Sequence, residues 1–350
     1  MTNQDGLVIS GARILTPGGS AVGELRVDRG RITAIGDAVE HTEALVLDGS
    51  GGYLSPGFID IQASGVAGHG IADPPAAIST VAAQLPRHGV TTFLPTLISP
   101  DASTVQDALA MLSRHRPGPG MAVPLGLHLD GPRTSPTAAG KPPASRAGHL
   151  PDGGADLWNP RQGVRLVTVT SDTANADLTI EALSGRGVVV SVDLTRDDHD
   201  RAKGAFAAGA TLVAVRIDRT TASTHRRLGL LDDVLADERI WTSSVVNGRP
   251  VHPAAADAAA RTVAPRRFIA LSDRSGLDQA MRNLVSVEGF SPDEAIRSVT
   301  INPALALRLN HQGRLEVGTK ADLVLLDDAL RVRATWIAGR LAFDDGLGAC

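Results

Sequence analysis

The sequence predicts an α/β fold, a (β/α)₈ TIM barrel inserted in a small β-sandwich that the N- and C-terminal segments make together. Eight apolar runs of strand length alternate with helical stretches through the middle of the chain, and strand-like segments separated by turns occupy both ends. The 350 residues also suffice for one barrel of ~250 residues and a smaller unit. A doubly wound open sheet is the competing interpretation, and the count of eight favours the barrel.

Both ends of the chain have the pattern of short strands separated by Gly, Pro and Asp. These strand-like segments are 7–10, 13–15, 23–27 and 31–35 near the N-terminus and 321–326 and 332–337 near the C-terminus. Each set is too small to enclose a core alone, so we expect the two sets to form one sandwich. The predicted boundaries are 1–55 with 314–345 for the sandwich and 56–313 for the barrel.

The middle of the chain supplies the barrel. The predicted strands are 56–62, 91–98, 122–130, 163–170, 187–194, 210–215, 240–246 and 266–273. The predicted helices between them include 76–88, 101–114, 197–208 and 254–262. The Pro- and Gly-rich segment 134–154 reads as a long loop after the third strand, where substrate-contacting loops belong.

The composition narrows the possible partners and the compartment. Hydrophobic residues make up 43% of the chain and charged residues 21%, and the formal net charge is −4 without basic clusters. We therefore expect no nucleic-acid partner and no membrane partner. Cys350 is the single cysteine, and neither a signal peptide nor an apolar stretch of ~20 residues is visible. These features predict a cytoplasmic protein.

The acidic residues at strand ends are the candidates for chemistry, since barrel sites form at the C-terminal ends of the strands. The third predicted strand ends on Asp130, and the eighth ends on Asp273. His128 lies two positions before Asp130 and therefore on the same face of the strand. Each has a structural alternative: Asp130 can cap the turn that follows it, and His128 can be a hydrogen-bonded core residue.

Several motifs together resemble the N-acetylglucosamine-6-phosphate deacetylase family of the amidohydrolase superfamily. The motifs are 54–62 (LSPGFIDIQ), 89–97 (GVTTFLPTL), 125–132 (LGLHLDGP), 280–285 (AMRNLV), 300–304 (TINPA) and 313–323. The resemblance covers nearly the whole chain and implies the same barrel inserted in a β-sandwich. It also implies hydrolysis of an acetamide with one divalent metal, zinc in the family, and a homodimer acting on an amino-sugar phosphate.

The metal ligands that the resemblance implies are mostly substituted. The family's glutamate falls on Asp130, while its two histidines fall on Leu194 and Val215. Aliphatic side chains cannot donate electron pairs to zinc, which prefers at least three N, S or O ligands from protein. Asp130 with His128 or Asp193 is the remaining donor set. Strand alternation places Asp193 on the face opposite Leu194 unless a bulge intervenes.

Several other functional residues that the resemblance implies have a match in this sequence. The proton-shuttling aspartate matches Asp273, and the arginine that holds the sugar phosphate from the neighbouring subunit matches Arg226. Gln62 ends the first strand, and His252 is close to the position of a substrate-contacting histidine. A further substrate-contacting histidine falls on Pro142.

Three hypotheses follow from these residues. The first is a deacetylase-like protein whose metal site has decayed and which binds an amino-sugar phosphate with little or no hydrolysis. The second is a working amidohydrolase with an unorthodox centre of His128, Asp130 and Asp273. The third is a non-catalytic structural or regulatory dimer that keeps the scaffold. Bound metal is accordingly expected to be either absent or a single divalent ion.

Overall fold

The structure is a computed structural model. It describes residues 6–66, 69–70, 77–131, 158–171, 175–193, 199–214, 237–247, 265–272 and 275–346.

The strands are numbered in chain order. They are β1 (Gly6–Thr16), β2 (Gly19–Asp28), β3 (Arg31–Gly36), β4 (Ala44–Asp48), β5 (Tyr53–Pro56), β6 (Phe58–Ala63), β7 (Gly65–Val66), β8 (His69–Gly70), β9 (Val90–Ile98), β10 (Val123–Pro124), β11 (Leu127–Asp130), β12 (Val164–Thr170), β13 (Val189–Asp193), β14 (Leu212–Ala214), β15 (Trp241–Val245), β16 (Phe268–Leu271), β17 (Leu323–Leu326), β18 (Val332–Ile337) and β19 (Arg340–Asp344). The α-helices are α1 (Ala77–Gln84), α2 (Ala102–Arg114), α3 (Ala176–Gly185), α4 (His199–Ala207), α5 (Leu277–Ser286), α6 (Pro292–Val299) and α7 (Ile301–Ala306). Short 3₁₀ helices lie at Leu85–His88, Pro160–Gln162 and Pro265–Arg267.

Strands from both ends of the chain form one eight-stranded sheet, which we name the terminal sheet. Its order is β19-β18-β17-β5-β1-β2-β3, with β4 pairing in parallel to β1. The N- and C-terminal segments meet where β17 pairs antiparallel to β5. Leu25, Leu54 and Trp336 are buried in its core together, so neither segment could bury this surface alone. The predicted joint β unit is confirmed.

The barrel is the second sheet, and all of its strand pairs are parallel. Its order runs β9-β11-β12-β13-β14-β15-β16, with β6 and the short β10 also pairing with β9. Each of the eight predicted strands overlaps an observed strand of this sheet, and the third predicted strand includes both β10 and β11. The (β/α)₈ barrel prediction is therefore confirmed against the open-sheet alternative.

Side-chain alternation separates the inside of the barrel from the outside. The inward cluster contains Ile59, Ile61, Leu94, Leu166, Val189, Leu212, Ile269 and Leu271. Ala304 and Ala306 of α7 join this cluster, so that short helix covers the end where the strands begin. The opposite end, where the strands finish, is the barrel mouth. The outward residues instead pack against α1–α6.

The helices begin and end where the sequence signals them. Asp101 caps α2 by accepting a hydrogen bond from the Thr104 backbone nitrogen at 2.8 Å. The predicted helix 76–88 changes to 3₁₀ geometry at Leu85 and ends at Gly89, whose φ of 75° suits glycine. The predicted helix 197–208 is observed as α4. The predicted helix 254–262 and the predicted loop 134–154 lie outside the described residues. None of the described helices is long and apolar enough to cross a membrane.

Among the residues that the structure describes, no backbone ladder joins β16 to β6, although the two strands contact each other. We name this interruption of the barrel sheet the seam. Side chains link the strands across this gap. The seam matters for the site because Gln62, a predicted site residue, lies in β6 at its edge.

Candidate active site at the barrel mouth

His128 and Asp130 both face the inside of the barrel, as the sequence predicted. Their neighbours Leu127 and Leu129 belong to the outward cluster, so the alternate residues point inward. Both inward side chains are buried, with His128 2% and Asp130 4% exposed. The mouth therefore holds an imidazole and a carboxylate on one strand.

The backbone around Asp130 is fixed by its two neighbouring strands. The Ser99 nitrogen donates to the Asp130 carbonyl oxygen at 2.8 Å, and the Gly131 nitrogen donates to the Thr168 carbonyl at 3.2 Å. Gly131 has a φ of 113°, which only glycine adopts readily. The chain thus leaves β11 sharply at the mouth and keeps Asp130 at its rim.

His128 is held by the barrel wall. Its Nδ1 lies 3.3 Å from Thr96 Oγ1, and its Nε2 lies 2.8 Å from Thr168 Oγ1. Both ring nitrogens are therefore engaged by hydroxyls of the adjacent strands β9 and β12. A metal would have to displace one of these hydrogen bonds to bind the ring. The role of His128 as a metal ligand stays a prediction.

Asp193, which the sequence offered as a donor but placed on the face opposite Leu194, is a second buried carboxylate on the inward face. Val189 belongs to the inward cluster while Val190 and Val192 pack outward, and β13 pairs without a register shift. Asp193 is 7% exposed and is in phase with Val189. Val190 and Val192 form the row that packs against the helices, and the two-residue period of the strand then places Asp193 on the inward row.

Asp60 is a further buried acid, placed beside the seam. Its Oδ1 accepts from the Gln62 backbone nitrogen at 2.9 Å, and its Oδ2 accepts from Ser272 Oγ at 3.4 Å. Burial raises the pKa of Asp60 to about 6, although these hydrogen bonds and the nearby His88 oppose the rise. Asp60 therefore links the end of β6 to the residue after β16.

A charged network lies next to this link and anchors α5. Asp278 Oδ1 lies 2.7 Å from His88 Nδ1, and its Oδ2 accepts from Arg282 Nη1 at 2.8 Å. Burial alone would raise the pKa of Asp278, but the His88 hydrogen bond and the Arg282 charge together lower it. Arg282 also donates to Gln279 Oε1 at 2.8 Å. The network fixes the start of α5, the helix that follows the predicted catalytic strand end.

Of the remaining predicted site residues, the structure describes only Gln62. Gln62 is half-buried at the end of β6, and its substrate-binding role stays a prediction. Five further positions lie outside the described residues: Asp273, Arg226, His252, Leu194 and Val215. Pro142 lies outside them as well.

The described donor set does not fit a zinc ion. Within the described ranges, no three His, Cys, Asp or Glu side chains come close enough to hold a metal. Asp130 and Asp193 are separated by the intervening strand β12, so their backbones lie roughly 10 Å apart. His128 is already engaged at both nitrogens. We therefore derive no catalytic step through a metal.

A parallel eight-stranded barrel with buried acids at its mouth is the architecture of barrel enzymes, whose sites form where the strands end. Comparison of sequences identifies the class. The amidohydrolase family profile matches residues 53–342, and the chain belongs to the amidohydrolase family.

Characterised relatives cover most of the chain. It is 28% identical over 340 residues to the N-acetylglucosamine-6-phosphate deacetylase of Danio rerio, covering 82% of this chain and 83% of that protein. It is 28% identical over 361 residues to the N-acetylgalactosamine-6-phosphate deacetylase of Escherichia coli, covering 91% and 94%.

The fold has a close parallel among solved structures. A variant of the Mycobacterium smegmatis N-acetyl-D-glucosamine-6-phosphate deacetylase, in complex with N-acetyl-D-glucosamine-6-phosphate, superposes with a TM-score of 0.79. The match covers 97% of this chain and 99% of that one at 23% identity, and it supports the fold alone.

Proposed function

We propose that this chain is a deacetylase-like protein of amino-sugar metabolism that binds an amino-sugar 6-phosphate at the barrel mouth. Its metal site has decayed, and it hydrolyses the acetamide weakly or not at all. Relatives that deacetylate N-acetylglucosamine- or N-acetylgalactosamine-6-phosphate support this ligand class. The proposed contacts are Arg226 with the phosphate and Gln62 and His252 with the sugar, while Asp273 is the candidate acid–base group.

The donor set carries this proposal. The inward histidine is bound at both nitrogens by Thr96 and Thr168, and the two histidine positions implied by the resemblance are Leu194 and Val215. Asp130 is the carboxylate left at the remaining ligand position, and zinc prefers at least three protein ligands. A barrel that keeps its acids and loses its histidines is better suited to binding than to activating water.

Elemental analysis of the purified protein, combined with deacetylase assays, tests the proposal. We expect substoichiometric zinc and no turnover of N-acetylglucosamine-6-phosphate or N-acetylgalactosamine-6-phosphate. Thermal unfolding with either sugar phosphate should show a rise in Tm, because a ligand of the folded state stabilises it. Arg226→Ala should abolish that rise. Stoichiometric zinc with turnover would overturn the decayed-site proposal.

Restoring the ligands tests how far the decay extends. The double variant Leu194→His/Val215→His should gain zinc affinity, measured by competition with a zinc-binding dye. Adding Asp130→Ala to the double variant is the control and should remove the gain. If the Asp130→Ala control keeps the gained zinc affinity, the metal binds elsewhere. If the double variant gains no zinc affinity, the ligand geometry of the site is lost.

A working hydrolase with an unorthodox centre is the second candidate, and one observation favours it. Asp193 is buried on the same inward face as Asp130, so the mouth holds two buried carboxylates. On this proposal His128, Asp130 and Asp273 would form the centre. Turnover that is lost in Asp130→Asn and Asp273→Asn, with Arg226 intact, would establish it.

The third candidate is a structural or regulatory dimer. Light scattering tests the homodimer that the resemblance implies. A stable dimer without any sugar-phosphate shift in Tm would favour this third role over the first.

A further inference from the structure

A second cavity lies well away from the barrel mouth. It is an open groove of about 1280 Å³ between the terminal sheet and the segment that connects α2 to β10. We name it the basic groove. Its charged lining residues are Arg29, Arg31, Lys320, Arg340 and Asp344. None of its lining residues comes from the C-terminal end of a barrel strand, so the groove is separate from the proposed sugar-phosphate site.

Two tight turns build the rim of the basic groove. Arg29-Gly30 connects β2 to β3, and Ala338-Gly339 connects β18 to β19, each with positive φ at both residues. The two turns pack backbone against backbone, since a Cβ on Gly30 would lie 2.6 Å from the Ala338 carbonyl oxygen. Three arginines that flank or occupy these turns are thereby held at fixed positions on one rim.

The charge of the basic groove is opposite to that of the whole chain. Four cationic side chains and one carboxylate line it, whereas the chain carries a formal net charge of −4. Arg31 is oriented by donating to the Gly318 carbonyl at 2.8 Å, and Lys320 lies 3.3 Å from Asp322. Besides the hydrogen bond from Arg26, the nearby charge of Arg29 lowers the pKa of the Asp28 carboxyl. The side chains of Arg29 and Arg340 nevertheless form no hydrogen bond or ion pair with any other residue that the structure describes. Two guanidinium groups are therefore available to an anion.

The interior of the basic groove is apolar. Leu7, Leu47, Met121, Trp336 and Ile337 line it beneath the cations. At its edges Leu45 and Leu341 are 37% and 53% exposed, which is unusual for large aliphatic side chains next to a cavity. Such a groove offers a ligand both an apolar surface and a cationic rim.

We propose that the basic groove binds a small soluble amphiphilic anion, a phosphate or carboxylate group joined to an apolar chain or ring. The anionic group lies between Arg29 and Arg340, where paired guanidinium groups match its oxygens. The apolar body packs on Trp336 and Leu45. The groove is thus a second ligand site of the protein, independent of the mouth.

Octyl phosphate and inorganic phosphate are the probes, tested on the full-length protein by titration calorimetry. We expect saturable binding of about one octyl phosphate per chain and at least tenfold weaker binding of inorganic phosphate, which lacks the apolar body. Arg29→Ala/Arg340→Ala should weaken octyl phosphate binding at least tenfold. Arg331→Ala removes an exposed arginine outside the groove and should leave binding unchanged.

A second readout comes from Trp336, whose fluorescence should change with octyl phosphate and stop changing in Leu45→Glu. Circular dichroism of each variant establishes that it is folded. Absence of saturable binding, or equal weakening by Arg331→Ala, overturns the proposal. Binding to anionic vesicles without binding of octyl phosphate overturns it too. An N-acetylglucosamine-6-phosphate shift in Tm that persists in Arg29→Ala/Arg340→Ala keeps the two sites distinct.

Discussion

Two histidines of the barrel have contrasting environments. His88 lies at the seam, where it contacts the carboxylate of Asp278 at 2.7 Å. His128 lies on the inner wall near the mouth, where its two nitrogens contact the neutral hydroxyls of Thr96 and Thr168.

The two histidines show that the seam and the inner wall are held by different kinds of contact. At the seam, backbone pairing is missing among the described residues, and Ser272 Oγ donates to Asp60 Oδ2 across it. Close by, His88 contacts Asp278 of α5. On the wall, Thr96 and Thr168 satisfy the buried imidazole without introducing a charge, which keeps the cost of burial low. The described side-chain contacts at the seam thus involve carboxylates, whereas those of the His128 ring are with hydroxyls.

The largest expected effect comes from breaking the seam network. Asp278→Ala leaves His88 and Arg282 without their carboxylate, and we expect a loss of about 3 kcal/mol in the free energy of unfolding. Urea denaturation measures it. Asp237→Ala is the matched control, since it removes a more exposed pair with Arg239 and should cost much less. Equal losses in the two variants would show that the seam network is no more than a surface ion pair.

The next effect is the pH dependence of the free energy of unfolding that Asp60 produces. Its folded-state pKa of about 6 lies above the ordinary aspartate value of 3.8, so the folded protein binds this proton more tightly than the unfolded chain. The resulting stability is fully present below pH 3.8 and is lost as the pH rises through about 6. The difference corresponds to roughly 3 kcal/mol. Asp60→Asn should remove this slope in denaturation curves measured from pH 4 to 7.

Asp278 should behave with the opposite sign, which sharpens the test. Its pKa is lowered in the folded state, so its contribution is present above the ordinary aspartate pKa and is lost as the pH falls below it. Subtracting the Asp60→Asn curve from the wild-type curve isolates the Asp60 slope. A wild-type-like slope in Asp60→Asn would assign the pH dependence to another group.

The smallest expected effects are changes in stability on removing a barrel hydroxyl that contacts His128 or one that has no partner among the described residues. Thr168→Val removes the partner of His128 Nε2 and should cost roughly 1–3 kcal/mol, the penalty for an unsatisfied buried polar atom. Thr92→Val is the control, because Thr92 Oγ1 is buried without a hydrogen-bond partner among the described residues. That control should be neutral or slightly stabilising. If Thr168→Val is also neutral, the His128 pair contributes nothing to the wall.

Much of the fold could be predicted because its signals are local. Apolar runs, caps such as Asp101 and breakers such as Gly89 mark strands and helix ends within a few residues of one another. The inward direction of His128 and Asp130 also follows from the two-residue period of a strand. Asp193 was harder to place, because its face depends on which neighbours meet helices, and that is a tertiary fact.

The sequence alone predicted the eight-strand barrel and the joint terminal sheet, since apolar periodicity and turn residues mark their strands. Only the tertiary structure decided the partners of the buried charges. Asp60 and Ser272 are 212 positions apart, and His88 and Asp278 are 190 apart. A local sequence pattern cannot predict these two contacts, because they form only when closure of the barrel brings the beginning and the end of its chain together.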